Sequence, residues 1–517
     1  MSTTASRLIS GSLASWALIC VTILSQLALV PIYLSHWSVE EYGVWLAILA
    51  IINILSTVDV GHQTFLQYEF LKFGKERKEM LGKYLWAGIV ISVFISIAQI
   101  IVIQIFLATD ALPVLLGNLK TADRELIRSA GIVLMLQSFT WLVCTTIIGL
   151  ISRALAPFGY WPRTAWWGFA YAVGNALVPV TAVLLGADLL WTGVAYAAGL
   201  ITYSIPCYID LFRLLHKEKV YFKMPSLKVG YRNFVKSLAI FLRLLLENLR
   251  HQGARLLISP FAGTAGLAAF ATMRTGANVA LQGLNTIINP IMPDLMRFLH
   301  QRDRDKSEVA FATIWIVVVA LIAPGIVILQ TFIEPFYVIW THGKIPFNPL
   351  LFALLSMAVL VYASIQPAMA VIIGNNLIKP QLIITGTAAA LVIGGIVILL
   401  PRIDILGAGI ALFLAELTAG VIYVICARRW LSKRTIDWPN RTFMIVLTSV
   451  FIAAVALSGL VWFPQFMWLI LVVSMVLFGW NLWRFWKILP AFASQRAREL
   501  AQKLPVIGKM LDVKQVL

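Results

Sequence analysis

Six ionisable side chains, Arg243, Glu247, Arg250, His251, Arg255 and Arg274, fall within residues 241–274, FLRLLLENLRHQGARLLISPFAGTAGLAAFATMR. The residues around them are apolar over membrane-spanning lengths. At about 100° per residue, the five positions from 243 to 255 share an arc of about 140° on one helix face. An arginine at the centre of a membrane helix costs about 2.5–3.5 kcal/mol on insertion scales, so such groups face a bundle interior or a watery cavity. A cationic cavity suits an anionic ligand. A plainer role is self-pairing and snorkelling, since Glu247 reaches Arg243 at i−4 and Arg250 at i+3. One carboxylate cannot neutralise four arginines, and the surplus charge favours a binding role for Arg243, Arg250, Arg255 and Arg274.

Two other carboxylates sit in apolar stretches. Asp59 shares a helix face with His62 and Gln63 at i, i+3 and i+4. It can serve as a proton or cation site, or equally as a structural cap or pair, while His62 reads as a packed or interfacial histidine. Glu416, in the middle of an apolar run, is a second candidate for cation coupling. Gln282, Asn285 and Asn289 either line the same cavity as the arginines or hydrogen-bond neighbouring helices.

The elements that carry these residues are membrane spans. The chain has 517 residues, 60% hydrophobic and 12% charged, with a mean hydropathy of +0.87. That composition excludes a soluble globular protein. Apolar runs predict fourteen helices, over 10–33, 42–64, 84–107, 126–150, 164–186, 190–212, 237–260, 267–293, 309–332, 348–373, 380–400, 405–427, 442–463 and 466–489. With this count, the basic residues on one side are Lys120, Arg124, Arg128, Lys344 and Arg402, and Arg243, Arg250, Arg255 and Arg274 lie within spans. All the rest of the 41 Lys and Arg fall on the other side. The positive-inside rule makes that side cytoplasmic and puts both termini there.

The net charge of +18 is therefore a topology signal, one that also draws the cytoplasmic face to anionic headgroups of the phospholipid membrane. It gives no reason to expect nucleic acid, and the basic loops carry no nucleic-acid-binding motif. The four cysteines, Cys20, Cys144, Cys207 and Cys426, are isolated and give neither a disulfide framework nor a metal spacing. There is no HExxH and no Walker-type glycine-rich loop. The chain reads as a non-enzyme with no cofactor beyond a coupling ion, H+ or Na+.

A weak repeat organises the spans. Residues 35–48 align with the stretch around 262–275 at a shift near 228, placing Val39 on Leu267, Tyr42 on Phe270 and Gly43 on Ala271. This predicts a first six-helix lobe over 1–212, a basic cytoplasmic linker over 213–236 and a second six-helix lobe over 237–427. Two further helices occupy 428–489, and a cytoplasmic amphipathic tail follows over 490–517. The last two helices are nearly free of ionisable groups and rich in Trp, Phe and Leu, as lipid-facing helices are.

Residues 31–61, PIYLSHWSVEEYGVWLAILAIINILSTVDVG, resemble the opening of the polysaccharide-transport and Wzx-type O-antigen flippases. These belong to the MATE-like multidrug/oligosaccharidyl-lipid/polysaccharide exporter (MOP) superfamily. The resemblance rests on Pro31, the turn from Glu40 to Trp45, and Asp59 with Gly61, and it extends to AGTAGLAAFATMRTGANVALQGLNTIINPIMPDL in the second lobe. It implies an all-α, MATE-like fold with two lobes working by alternating access in a bacterial inner membrane. The implied cargo is an undecaprenyl-diphosphate-linked oligosaccharide for O-antigen, exopolysaccharide or capsule. Other polysaccharide-assembly proteins would be partners and the working unit a monomer.

On this resemblance Arg243, Arg250, Arg255 and Arg274 contact diphosphate and sugar, Asp59 and Glu247 are pairing or coupling carboxylates, and the last two helices offer a surface to the lipid tail. A lipid II flippase and a multidrug or cation antiporter of the same fold are the nearest alternatives. The antiporter would more naturally have an acidic or aromatic cavity. A membrane polysaccharide polymerase or ligase, the alternative from a different class, needs a substantial external loop, and the external loops here are short. A scaffold without transport leaves the buried arginines unexplained.

Overall fold

The computed structural model describes residues 4–109, 111–116, 124–301, 303–375 and 377–488. Their side chains are described except at 4–12, 15, 16, 19, 26, 250–253, 256, 279–294, 296, 297, 300 and 301. Among these residues every element is helical. They run α1 (Thr4–His36), α2 (Val39–Leu55), α3 (Thr57–Phe73), α4 (Lys78–Ala108), α5 (Ala111–Leu115) and α6 (Arg124–Thr140). A π-helical turn (Trp141–Ile147) leads into α7 (Ile148–Leu155), followed by α8 (Trp161–Leu184), α9 (Leu189–Lys217), α10 (Leu227–Gln301) and α11 (Arg304–Val317). A second π-helical turn (Val318–Ile322) precedes α12 (Ala323–Trp340), then come α13 (Pro349–Ser364), α14 (Gln366–Gly374), α15 (Ile378–Ile403), α16 (Ile405–Ser432), α17 (Asn440–Trp462) and α18 (Met467–Ile488).

Nine of the described helices are long and apolar enough to cross a membrane, and two bent pairs bring the number to eleven. Helix α1 and the two limbs of α10 are compatible with the remaining three of the fourteen expected spans.

The breaks in these helices have local causes. The stretch expected as one span over 42–64 is bent by 42° between α2 and α3. There the Ser56 and Thr57 hydroxyls both donate back to the Asn53 carbonyl, at 3.1 and 2.9 Å, and such back-bonding bends helices. Helix α2 starts on a capping box. The Ser38 hydroxyl accepts from the Glu41 amide at 3.1 Å, and the Ser38 amide donates to the Glu41 carboxylate at 2.9 Å. Glu41, part of the resemblance-bearing turn, is thus a helix cap.

Helices α13 and α14 are bent by 54° just before Pro367, and Trp315 Nε1 donates to the Ser364 carbonyl at the bend, at 2.8 Å. The turn between the spans expected over 237–260 and 267–293 is narrower than that gap. Only Gly263 is non-helical, with φ 71° and ψ 176°, a region that is essentially glycine's alone.

The chain divides into two compact units. The first comprises Met1–Gly276, Phe336–Phe347 and Thr385–Ala415; the second comprises Ala277–Pro335, Asn348–Ile384 and Glu416–Leu517. In the first, α1 packs on α8, α8 on α9, and α6 on both α2 and α9. In the second, α17 packs against α13 and α18.

The first limb of α10 and the start of the second are held against the α2–α3 pair by two glycines that let backbones touch. A Cβ on Gly43 would sit 2.2 Å from the Thr264 carbonyl oxygen, and one on Gly61 would sit 2.8 Å from Phe241 Cα. Between these contacts Asn248 donates to the Thr57 hydroxyl at 2.7 Å. The pair therefore runs antiparallel along α10, and the motif glycines are its points of closest approach. Small residues serve this purpose in membranes, where lipid is as apolar as leucine and only close packing drives association.

Candidate functional site

The arginine-bearing limb of α10 presents a ladder. Arg243 and Arg255 are twelve residues apart, about 18 Å along the helix axis, so no single phosphate group spans them. Arg243 and Glu247 are half-buried. The Arg250 side chain lies outside the described residues, as do those of Gln282, Asn285 and Asn289 and the tail over 490–517.

Arg255 is half-buried; its Nε is enclosed and has no hydrogen-bond partner among the described residues. It lies within electrostatic range of the Tyr42 phenol on α2, which in turn senses Tyr337 on α12. The Tyr337 hydroxyl shares a 2.7 Å hydrogen bond with Thr272. A chain of hydroxyl groups thus leads from this cation through Tyr42 on α2 and Tyr337 on α12 to Thr272 on the second limb of α10. On the second limb, Arg274 is 8% exposed and its guanidinium carbon lies 5.9 Å from the Phe270 ring centroid, within cation–π range.

The aromatic residues Trp37, Tyr42 and Trp45, which suit a membrane–water interface by composition, are instead buried. Tyr33 stacks on Tyr42 with centroids 5.7 Å apart and packs beside Trp37 at 5.0 Å. Trp45 continues this cluster to Tyr196 on α9 at 6.3 Å.

Asp59 accepts four side-chain hydrogen bonds. It is fully buried. Its Oδ1 accepts from Ser92 at 2.9 Å, and its Oδ2 accepts from Gln63 at 2.6 Å, Thr146 at 2.6 Å and Trp141 at 3.1 Å. In an α-helix Trp141 and Thr146 would project about 140° apart, at about 100° per residue. The i→i+5 winding of the π-helical turn brings both to the same carboxylate.

Gln63 then accepts from Arg153 Nη1 at 2.5 Å, so a neutral amide links the buried carboxylate to a cation. Gly149 makes room for this link, because a Cβ there would lie 2.6 Å from Gln63 Oε1 and 2.9 Å from Arg153 Nη1. His62 is also fully buried, edge-to-face with Phe234 at 6.1 Å.

The structure thus gathers Asp59 and Gln63 with Ser92, Trp141, Thr146 and Arg153, and sets Arg255 beside Tyr42. Glu416 is buried in α16, in the second unit. Sequence reasoning missed Trp141, Thr146 and Arg153. Arg153 was counted with the cytoplasmic positive charges, and a π-helical turn carries no residue signature. No group of three or more His, Cys, Asp or Glu among the described residues could hold a metal ion.

In the second unit, α17 and α18 enclose an apolar groove of about 590 Å³ lined by Phe451, Val455, Ala456, Phe463, Val473 and Leu477, among others.

No protein-family model matches the sequence, and no curated protein does either. Solved structures match across most of the fold. A lipid II flippase, MurJ, in an inward closed conformation, is 13% identical; the match covers 91% of this chain and 98% of that one at a TM-score of 0.61. An inward-facing multidrug resistance MATE family transporter of the MOP superfamily is 13% identical, covering 80% of this chain and 95% of that one at a TM-score of 0.62. An outward-facing structure with the same family description is 14% identical, with 83% and 96% covered at 0.56. The protein is an all-α, multi-pass membrane protein with the MATE-like exporter fold.

Proposed function

We propose that this protein is a flippase that moves an undecaprenyl-diphosphate-linked oligosaccharide across a bacterial inner membrane by alternating access. The observation that carries this reading is Arg255, a guanidinium whose enclosed Nε has no hydrogen-bond partner among the described residues, on a helix bearing further arginines. An enclosed guanidinium nitrogen with no partner among the described residues is costly, and that cost is offset when a ligand supplies an acceptor of opposite charge. Guanidinium is planar and always protonated, and it binds phosphate oxygens bidentately.

In this reading the ladder of Arg243, Arg250 and Arg255 hands the diphosphate along α10, and Arg274 contributes from the second limb. The groove between α17 and α18 takes the polyprenyl tail. The lobes are residues 1–212 and 237–427, with both termini cytoplasmic. Glu247 is the pairing carboxylate, and H+ or Na+ binding at Asp59 or Glu416 supplies the coupling. Protonation of Asp59 weakens the hydrogen bonds its carboxylate accepts from Trp141 and Thr146, and so loosens the π-helical turn.

The test is complementation of bacteria that lack their own oligosaccharide flippase, read as surface polysaccharide, with a parallel drug-efflux assay. Restored polysaccharide without added drug resistance supports the proposal. Drug resistance with no polysaccharide for any of several donor sugars replaces it with the multidrug antiporter.

A further inference from the structure

Helices α8 and α9 carry a run of aromatic and amide side chains in the middle of their spans. Trp167, Tyr171 and Asn175 follow one another at i, i+4 and i+8 on α8, and Tyr196 and Tyr203 lie at i and i+7 on α9, so each set occupies one helix face. Their rings pack side by side. Tyr203 lies 5.8 Å from Trp167 and 6.0 Å from Tyr171. Tyr196 donates to the Asn175 amide oxygen at 2.5 Å and lies within electrostatic range of Tyr171, and Tyr171 is 3.4 Å from the Thr145 hydroxyl.

The row is anchored at one end. Trp167 Nε1 donates to Asp210 Oδ2 at 2.8 Å, and Arg163 pairs with the same carboxylate. At the other end Tyr196 meets Trp45 and, through Tyr42, the neighbourhood of Arg255.

Asn175 is exposed, and the three tyrosines are half-buried. An exposed amide halfway along a membrane helix does not suit hydrocarbon, so this face meets water or a polar ligand. Ring faces alternating with hydroxyl and amide edges match a pyranose, which has an apolar C–H face and hydroxyls around its rim. Tyrosine and tryptophan present such a surface with one apolar side and one polar end. A flat apolar drug would use the rings and leave the hydroxyls and the amide idle.

We propose that Trp167, Tyr171, Asn175, Tyr196 and Tyr203 form a sugar-binding subsite that stacks and hydrogen-bonds pyranose rings of the cargo. This rests on the lipid-linked oligosaccharide reading above and adds the part of the protein that recognises the glycan. Arg255, at the Tyr42 end of the same aromatic chain, takes the diphosphate.

The experiment measures binding to the full-length protein in nanodiscs. The probes are undecaprenyl diphosphate alone, the same carrier bearing either of two different oligosaccharides, and ethidium. Wild type is expected to bind at least one glycosylated carrier about tenfold tighter than the bare one, the gain of roughly one good aromatic contact. Tyr171→Ala with Tyr196→Ala is expected to abolish that preference while leaving bare-carrier binding unchanged. Tyr196→Phe, which keeps the ring, is expected to retain part of it, and Arg255→Ala to weaken both carriers. Equal affinity of wild type for bare and glycosylated carriers overturns the subsite and leaves the diphosphate reading standing. Loss of both carriers in the tyrosine variants likewise overturns it. Ethidium binding that depends on these tyrosines, without glycan preference, replaces it with a drug site. If wild type binds no carrier, the parent reading fails and the subsite fails with it.

Discussion

Thr146 donates to Asp59 across 2.6 Å, from within a π-helical turn and 87 positions further along the chain. Trp141, at the start of the same turn, donates to the same oxygen. The extra residue in the turn is therefore fixed by a buried carboxylate. Because a hydrogen bond to a charged group contributes about 1.5–3 kcal/mol, Thr146→Val is expected to lower the melting temperature of the detergent-solubilised protein measurably. Asp59→Asn, which sets an NH2 group among four donors, is expected to lower it further. An unchanged melting temperature in both variants would show that the carboxylate does not hold the turn.

Close approach of α2 to α10 makes a second expectation. Gly43→Ala would press a methyl group to within 2.2 Å of the Thr264 carbonyl oxygen, an overpacking that costs about 1–3 kcal/mol. Gly168 on α8 has nothing within 4 Å of its would-be Cβ, so Gly168→Ala is expected to be neutral or to gain up to about 1 kcal/mol from helix propensity. Thermal unfolding of the two variants side by side checks the contrast; equal effects would contradict it.

Much of this was legible in the sequence, and the limits have physical causes. The helical, membrane-crossing character followed from apolar length, and nine to eleven described spans bear it out, because backbone satisfaction in lipid leaves few alternatives to helices. Asp59 and Gln63 were rightly set on one face, since their spacing is local. Their partners Ser92, Trp141, Thr146 and Arg153 come from distant segments, and only packing brings them in. The bend at Ser56 depends on which way two hydroxyls turn, and the burial of Trp37, Tyr42 and Trp45 depends on what stands beside them. The glycines of the resemblance motif were visible as letters, while their function as contacts with Thr264 and Phe241 required the fold.

Arg255 should not tolerate its nearest substitute. Lysine keeps the charge but loses the planar fork that grips two phosphate oxygens. Arg255→Lys is expected to reduce lipid-linked oligosaccharide transport about tenfold, equivalent to about 1.4 kcal/mol, with normal expression and melting temperature. Transport rates in cells at matched protein levels check this. Full activity in the lysine variant would reduce the role of Arg255 to a general positive field.

The groove between α17 and α18 predicts a dependence on chain length. Ala456→Phe would fill part of it, and each apolar CH2 left unburied forfeits about 0.8 kcal/mol. The variant is expected to bind the long-chain carrier about tenfold more weakly, the equivalent of about two CH2 groups, and a short-chain analogue as wild type does. Equal weakening of both would place the tail elsewhere.

The most direct measurement is translocation itself. The purified protein is reconstituted in liposomes with a fluorescent undecaprenyl-diphosphate-linked oligosaccharide, and the fraction of lipid crossing between leaflets is read by chemical quenching. The account predicts transfer by wild type well above empty liposomes, and its loss in Arg255→Ala and Arg274→Ala proteins that remain folded. Transfer that is absent in wild type, or undiminished in both arginine variants, would contradict it.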